Sequence, residues 1–278
     1  MIYLLCAIAS SAMVSIFMRL STGRIKGNIS MLTMNYVMCL AISVGYTGVG
    51  ELIPLRSSLF QTLGMGLIHG ILYLLSFVLL QVNVKRNGVV LSATFMKLGL
   101  LVPMVVSLVL FGEQPGLLQI LGFIVALGAI VLINFERGES VMQFRIGLIL
   151  LLLGGGCGDA MSKIFDELGD PRMSDQFLFY TFVTALALCT ALMIYKGQRI
   201  GISEVFFGLL IGVPNFYSAR FLLWALEELP GFVVYPSYSV GTILVVTLAG
   251  VVLFRERLGK RQRTALGTIL VALALLNL

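Results

Sequence analysis

The chain carries very little charge. Aspartate, glutamate, lysine and arginine make up 12% of its 278 residues, against about a quarter in an ordinary soluble domain. With 59% of the residues hydrophobic, that shortage excludes a water-soluble globule, which would have almost nothing polar to turn outward. A single histidine excludes a histidine-rich metal site. The four cysteines, Cys6, Cys39, Cys157 and Cys189, fall inside apolar runs with no C-x-x-C spacing. They read as small packing residues, with neither zinc nor a disulfide framework expected. No Walker sequence, H-E-x-x-H or G-x-S-x-G occurs, which leaves no nucleotide-driven pump within this chain and little for a membrane-embedded enzyme. The opening MIYLLCAIASSAMVSIFM has no basic residue ahead of its apolar run and no clear cleavage site. A retained first membrane helix is expected there, not a signal peptide.

What the chain does have is long apolar runs. About 20 such residues cross the hydrocarbon core as a helix. Ten segments qualify, near 2–20, 30–50, 60–81, 88–110, 115–134, 146–165, 174–195, 204–225, 231–254 and 262–278. The connections between them alternate in charge. The odd-numbered ones hold nearly all the basic residues, from Arg24 and Lys26 through Arg137 to Arg257, Arg261 and Arg263; the even-numbered ones hold only Arg56 and Arg172. By the positive-inside rule the first set is cytoplasmic and both termini face outward. The net charge of +6 is thereby a matter of topology, and no nucleic-acid partner is expected.

The string F-x-E-x-x-G occurs as Phe111–Gly116 and again as Phe254–Gly259, each time between two apolar runs. A shift of about 144 positions also aligns Arg19 with Lys163, Tyr36 with Tyr180 and Tyr73 with Tyr217, and brings Gly88 beside Gly231. Gly66-Leu-Ile-His-Gly70 finds a counterpart in Gly208-Leu-Leu-Ile-Gly212. The expectation is an all-α membrane protein of ten transmembrane helices in two five-helix repeats, 1–139 and 140–278. Five is odd, so the second repeat must run inverted, the arrangement of many secondary transporters. Glu113, Gly116, Glu256 and Gly259 are read as structural: a carboxylate before a helix N-terminus and a glycine that permits the turn.

LVPMVVSLVLFGEQPGLLQILGFIVALGAIVLINF and its second-half counterpart ILVVTLAGVVLFRERLGKRQRTALGTILVALALLNL carry a resemblance over nearly the whole chain. The chain resembles the drug/metabolite transporter superfamily, of the EamA-like ten-helix type. That resemblance implies two inverted five-helix repeats, a site lined by helices 1, 3, 4, 6, 8 and 9, and substrates among small metabolites, amino acids, nucleotide sugars or toxic cations. It also implies cytoplasmic termini for many relatives, opposite to the charge bias here.

Polar side chains inside apolar runs are the candidate substrate ligands, because a Lys or Arg at mid-span costs about 2.5–3.5 kcal/mol on insertion scales. Lys97 lies within the fourth segment, suited to an anion or a partner acid. Asp159 and Lys163 share one face of the sixth, four residues apart, and can neutralise each other or meet substrate. Asp159 follows Gly154–Gly158, a run that permits close helix packing and a bend. Asn215, Tyr217 and Arg220 in the eighth segment, with Trp224 on the same stripe, can clamp a carboxylate or stack a ring. His69 and Tyr73 share a face of the third; Tyr235 and Tyr238 follow one another along the ninth. Asp159 and His69 are the proton-coupling candidates.

The expected function is secondary active transport, by alternating access, of a small metabolite, zwitterionic or anionic and amino-acid-like. Multidrug or organic-cation efflux is the alternative. The lipid bilayer, a small-molecule substrate, and a proton or counter-substrate are the expected partners. No enzyme activity, metal or cofactor is expected, and the location is the cell (plasma or inner) membrane. A fused repeat supplies two halves in one chain, so monomer and homodimer both remain open.

Overall fold

The computed structural model describes residues 1–87, 89–134, 145–255 and 260–278. Gly88, Arg137, Glu256, Arg257 and Gly259 lie outside the described residues. Among the described residues the chain is helical, with no strand. The helices are α1 (Ile2–Ser21), α2 (Asn28–Thr47), α3 (Leu59–Asn87), α4 (Val89–Leu98), α5 (Leu101–Val109), α6 (Leu117–Asn134), α7 (Arg145–Leu168), α8 (Ser174–Tyr195), α9 (Ile202–Glu228), α10 (Gly231–Phe254) and α11 (Lys260–Leu276). Seven of them are long and apolar enough to cross a membrane, and Phe95–Val109, Leu117–Leu132 and Arg263–Leu276 are shorter apolar stretches. The apolar segments therefore fall where hydropathy puts them. The exception is the fourth, near 88–110, which forms two helices, α4 and α5, interrupted at Gly99 and Leu100.

The helices gather into two compact units. The first comprises Met1, Leu75–Lys163 and Ala225–Leu278; the second comprises Ile2–Leu74 and Ile164–Trp224. The dividing points fall inside α3, α7 and α9.

In the first unit α6 lies along α11, and α10 packs on α5, α6 and α11. Leu100, Met104, Ala126, Ala129, Ile130, Phe232, Val240, Ile269, Ala272 and Leu276 form its core. Ala126 and Ala129/Ile130 on α6, and Ile269, Ala272 and Leu276 on α11, recur at helical spacing, so each helix turns one stripe inward. Gly122 continues the α6 stripe: a Cβ there would lie 2.9 Å from Leu275 Cβ. On the far sides, Leu117, Leu121 and Ile124 of α6 and Leu270 and Val271 of α11 are exposed, as befits surfaces solvated by lipid.

In the second unit α2 lies along α8. Each of these helices receives a G-x-x-x-G stripe from another. Gly66 and Gly70 of α3 meet Phe177, Tyr180, Thr181 and Thr184 of α8, while Gly208 and Gly212 of α9 meet Met31, Met34, Asn35 and Met38 of α2. In lipid, helices are held by such close contact, because apolar burial alone gives no advantage over lipid tails. A Cβ on Gly208 would sit 2.6 Å from the Met31 carbonyl oxygen, backbone that cannot step aside. Gly208→Ala is expected to lower stability by about 1–3 kcal/mol, despite alanine's better helix propensity of about 1 kcal/mol. Gly64→Ala, whose Cβ would meet nothing within 4 Å, is the control and should be neutral or stabilising. Thermal melts in detergent read both.

The α2 N-terminus is closed by two side chains, Gln198 from the α8–α9 connection and Glu204 from the first turn of α9. Gln198 Oε1 accepts the N–H groups of Ile29 (3.1 Å) and Ser30 (3.3 Å), and Glu204 Oε1 accepts those of Lys26 (2.6 Å) and Gly27 (3.3 Å). These donors have no partner within a helix.

The turn between α5 and α6 departs from the reading of its glycines. Gly112 has φ +66, the left-handed conformation, whereas Gly116 has no positive φ and a Cβ there would meet nothing within 4 Å. The glycine that makes this turn is Gly112.

Candidate functional site

The first unit holds the interrupted helix and three of the charged sequence candidates, Lys97, Asp159 and Lys163. Pro103 explains the interruption. It has no N–H to give the Gly99 carbonyl, and its ring displaces that carbonyl from the helical ladder. Val102 N–H bonds Gly99 O instead, at 2.9 Å, while the N–H groups of Gly99 and Leu100 bond the carbonyls of Met96 (3.2 Å) and Lys97 (3.4 Å). The chain thus makes tight three-residue turns between α4 and α5. The interruption lies directly against α7. A Cβ on Gly99 would be 3.0 Å from Gly156 N and from Leu152 O, so the Gly154–Gly158 run is used for close approach. α7 itself continues unbroken to Leu168; the glycines do not break it.

Lys97 is the next-to-last residue of α4, just ahead of the interruption, and Asp159 lies on α7 three residues past Gly156. Both are half-buried, and each acts electrostatically on the other. Tyr235, in the second turn of α10, donates its hydroxyl to the main-chain oxygen of Asp159 at 2.9 Å. Three of the sequence candidates therefore meet in one unit. Tyr238, one turn further along α10, is half-buried.

Lys163 belongs to a separate arrangement. Its Nζ lies 2.9 Å from Glu113 Oε1, with side-chain exposures of 3% and 13%. The ion pair the structure gives Lys163 is with Glu113, and Lys97 acts electrostatically on Asp159. Glu113 also caps a helix, though not α6, the helix that follows it. Its Oε1 accepts the N–H of Gly231 (2.8 Å) and its Oε2 that of Phe232 (2.9 Å), closing the N-terminus of α10. The α6 N-terminus is served by Gln119, whose Oε1 accepts Gly116 N–H at 3.1 Å. Burial pushes the Glu113 carboxyl up, but the hydrogen bond from Lys163 and those from Phe232 and Gly231 outweigh it and hold the group below its ordinary value. Gly231 is required at its place, since a Cβ would lie 2.5 Å from Ser107 Oγ and 3.3 Å from Lys163 Cε.

The second unit collects the remaining candidates in two groups. His69 is buried, stacked on Phe177 (5.2 Å between ring centres) and edge-on to Tyr73 (4.9 Å), with Thr181 Oγ1 3.4 Å from its Nδ1. His69 and Tyr73 share a face, as their spacing predicts, and the face is an aromatic core that Phe165 extends by stacking on Phe177. Arg220 lies between two rings, Tyr46 at 4.2 Å and Trp224 at 4.7 Å, and is ion-paired to Asp175. Tyr217 borders the same group through Tyr46, the two hydroxyls 3.4 Å apart. Asn215 Nδ2 donates to Asn35 Oδ1 at 3.2 Å.

Asp175, Tyr46, Asn35 and Gln198 escaped the sequence reading. Asp175 carried one available signal, an acid in the first turn of a helix. Nothing local marks Tyr46 or Asn35. Among the described residues, no group of three or more His, Cys, Asp or Glu is placed to hold a metal ion.

These observations define a helical protein with several helices fit to span a membrane, and hence one suited to multi-pass insertion. No family model matches the chain. It is 26% identical over 190 residues to an uncharacterized protein of Haemophilus influenzae, an alignment taking in 66% of this chain and 65% of that protein. The chain thus matches somewhat less than two thirds of that relative's length. A protein of known crystal structure superposes with a TM-score of 0.77 at 14% identity, over 99% of this chain and 94% of the other. That likeness is one of fold.

Proposed function

We propose that the chain is a secondary transporter of the drug/metabolite transporter type, with ten spans in two inverted repeats, moving a small carboxylate-bearing metabolite, zwitterionic or anionic, across the cell membrane. The observation that carries the reading is the placing of two half-buried opposite charges, Lys97 and Asp159, beside an interrupted helix. Intramembrane charges are retained where they face a pathway, and broken spans are where transporters assemble midplane sites. Lys163 and Arg220 are engaged by Glu113 and Asp175, which leaves Lys97 to hold a substrate carboxylate and Asp159 to accept an amine.

The repeat is supported by reciprocity. α2 and α8 are counterparts under the 144-residue shift, as are α6 and α11, and each pair packs together. The G-x-x-x-G of α3 meets α8, and its counterpart in α9 meets α2. The connections' charge bias argues for both termini outside.

The test is counterflow in proteoliposomes with labelled carboxylates, amino acids and organic cations. Carboxylates or amino acids should exchange, and organic cations should not. Exchange of cations alone would replace the substrate class with organic cations, a reading favoured by the acid Asp159 with Tyr235 beside it. A sealed, folded preparation that exchanges none of the three would overturn the transport reading.

A further inference from the structure

One face of α10 is polar over its first turns. Gly231, Tyr235, Tyr238 and Thr242 follow at steps of four, three and four residues, so they lie along one line of the helix. Two contacts fix what that line faces. A Cβ on Gly231 would lie 2.5 Å from Ser107 Oγ of α5, and the Tyr235 hydroxyl reaches the Asp159 main-chain oxygen of α7 at 2.9 Å. The opposite side of α10, with Phe232, Val240 and Ile243, is turned into the core shared with α6 and α11. That core also holds Leu98 and Leu100. With Gly231 against Ser107 at one end and Val240 in one core with Leu100 at the other, α10 runs antiparallel to α5. Thr242, about 16 Å along the helix from Gly231, thus lies at the depth of the interruption.

Thr242 is 2% exposed, and among the described residues its Oγ1 finds no hydrogen-bond partner. A helix threonine is ordinarily relieved by the carbonyl four residues back. Thr247 donates to that carbonyl on the same helix, to Ile243 at 2.7 Å, as do Thr33, Thr181 and Thr184 on theirs. Thr242 does not. A buried hydroxyl left unsatisfied is destabilising, and this one stands on the polar line of α10.

We propose that Thr242 is a substrate-binding residue whose hydroxyl hydrogen-bonds a substrate oxygen outside the carboxylate, so that the acid carried is a hydroxy or oxo acid or a hydroxylated amino acid. The assignment rests on the transport reading above and deepens its substrate class. Lys97 ends α4 just ahead of the interruption, at the depth Thr242 reaches; the first takes the carboxylate and the second the further oxygen. A hydroxyl or carbonyl on the substrate gives Thr242 the partner the fold withholds, whereas a methylene leaves it unpaired in the bound state too. Sites of this kind reject the analogue that lacks the oxygen. Ser107 Oγ is also buried and without a hydrogen-bond partner among the described residues, but it lies against the Gly231 backbone, which covers it. It serves as the control.

Counterflow in proteoliposomes reads the assignment as a ratio between probes that differ by one oxygen: malate and succinate, citrate and tricarballylate, serine and alanine. In the wild type the oxygenated member of at least one pair should show a KM lower than its partner's by roughly tenfold or more. Thr242→Val keeps the shape without the hydroxyl and should raise that KM by about tenfold with kcat kept, bringing the ratio near one. Thr242→Ser should keep most of the ratio, and Ser107→Ala all of it. Thr242→Val should also melt at or above the wild type in detergent, since it removes an unsatisfied buried hydroxyl. A wild type that carries carboxylates without discriminating in any pair, or a ratio that survives Thr242→Val, would overturn the assignment and leave transport standing. So would a Thr242→Val protein that melts several degrees lower and loses both members of a pair equally, since that is a packing role. Melts with the same probes separate the two readings. An oxygenated acid that raises the wild-type melt but not that of Thr242→Val, in a protein that exchanges nothing, keeps the site and defeats transport. Neither exchange nor a raised melt with any probe defeats both.

Discussion

Lys97→Met should abolish exchange of the carboxylate substrate while leaving a folded protein. A charged partner lost from a substrate site costs about 2–5 kcal/mol, a fall of roughly 30-fold to 5,000-fold in kcat/KM. Lys97→Arg keeps the charge and should retain part of the activity, with a raised KM, since a planar guanidinium does not replace a compact ammonium in a shaped site. Stability should move the other way in the double variant Lys97→Met/Asp159→Asn. Apolar or neutral replacement of two half-buried opposite charges should cost little or stabilise, since a fully buried pair so replaced is often neutral or more stable by about 1–4 kcal/mol and a lysine inside the hydrocarbon is itself costly. A double variant that melts higher than wild type and transports nothing marks a pair kept for function. Loss of both properties together would make it a structural brace.

The membrane character, the segment positions and the punctuating turns were all legible in the sequence, because each rests on a local signal. Hydropathy marks a span from its own residues, and the F-x-E-x-x-G string marked the turn at the end of the fourth one, although the glycine that makes it is Gly112 and not Gly116 as read. The interruption at Gly99 was also marked locally, by Pro103 four residues on; the unbroken run of apolar residues concealed it. Spacing along one helix likewise predicted which residues share a face: His69 with Tyr73, and Arg220 with Trp224.

Partners across helices were not legible. The sequence offered Lys163 an acid four residues away, whereas the fold supplies Glu113 from a turn fifty residues earlier. Arg220 drew Asp175 from the first turn of α8, 45 residues away. A charged side chain in an apolar setting must find an opposite charge, which the sequence shows; which of several acids it meets is decided by helix packing, which it does not. The same limit applied to Glu113. Its place before α6 suggested a cap for that helix, yet its carboxylate reaches the N-terminus of α10, 118 residues on.

Glu113→Ala follows as the most destabilising single change in the first unit. It leaves the Lys163 ammonium, 3% exposed, without its acid, and removal of one partner from a buried pair costs about 3–5 kcal/mol. It also removes both acceptors from the first turn of α10, a cap whose loss typically adds about 1 kcal/mol. At roughly 2–4 °C per kcal/mol for a chain approaching this size, the melt should fall by about 8–24 °C. Glu113→Leu/Lys163→Met removes both charges together and should recover most of that loss, leaving chiefly the unclosed N-terminus of α10. Acid should act on the wild type in the same sense. The folded carboxyl is held below its ordinary value of 4.5, so its stabilisation is fully present above about pH 4.5 and is lost as the pH falls through the depressed folded value. Melts at pH 7 and at about pH 3.5 should therefore diverge more in the wild type than in the Leu/Met double variant. Equal acid sensitivity in the two would assign the loss to other carboxylates. A Glu113→Ala protein that melts with the wild type at neutral pH would mean that Lys163 finds another acid at no cost.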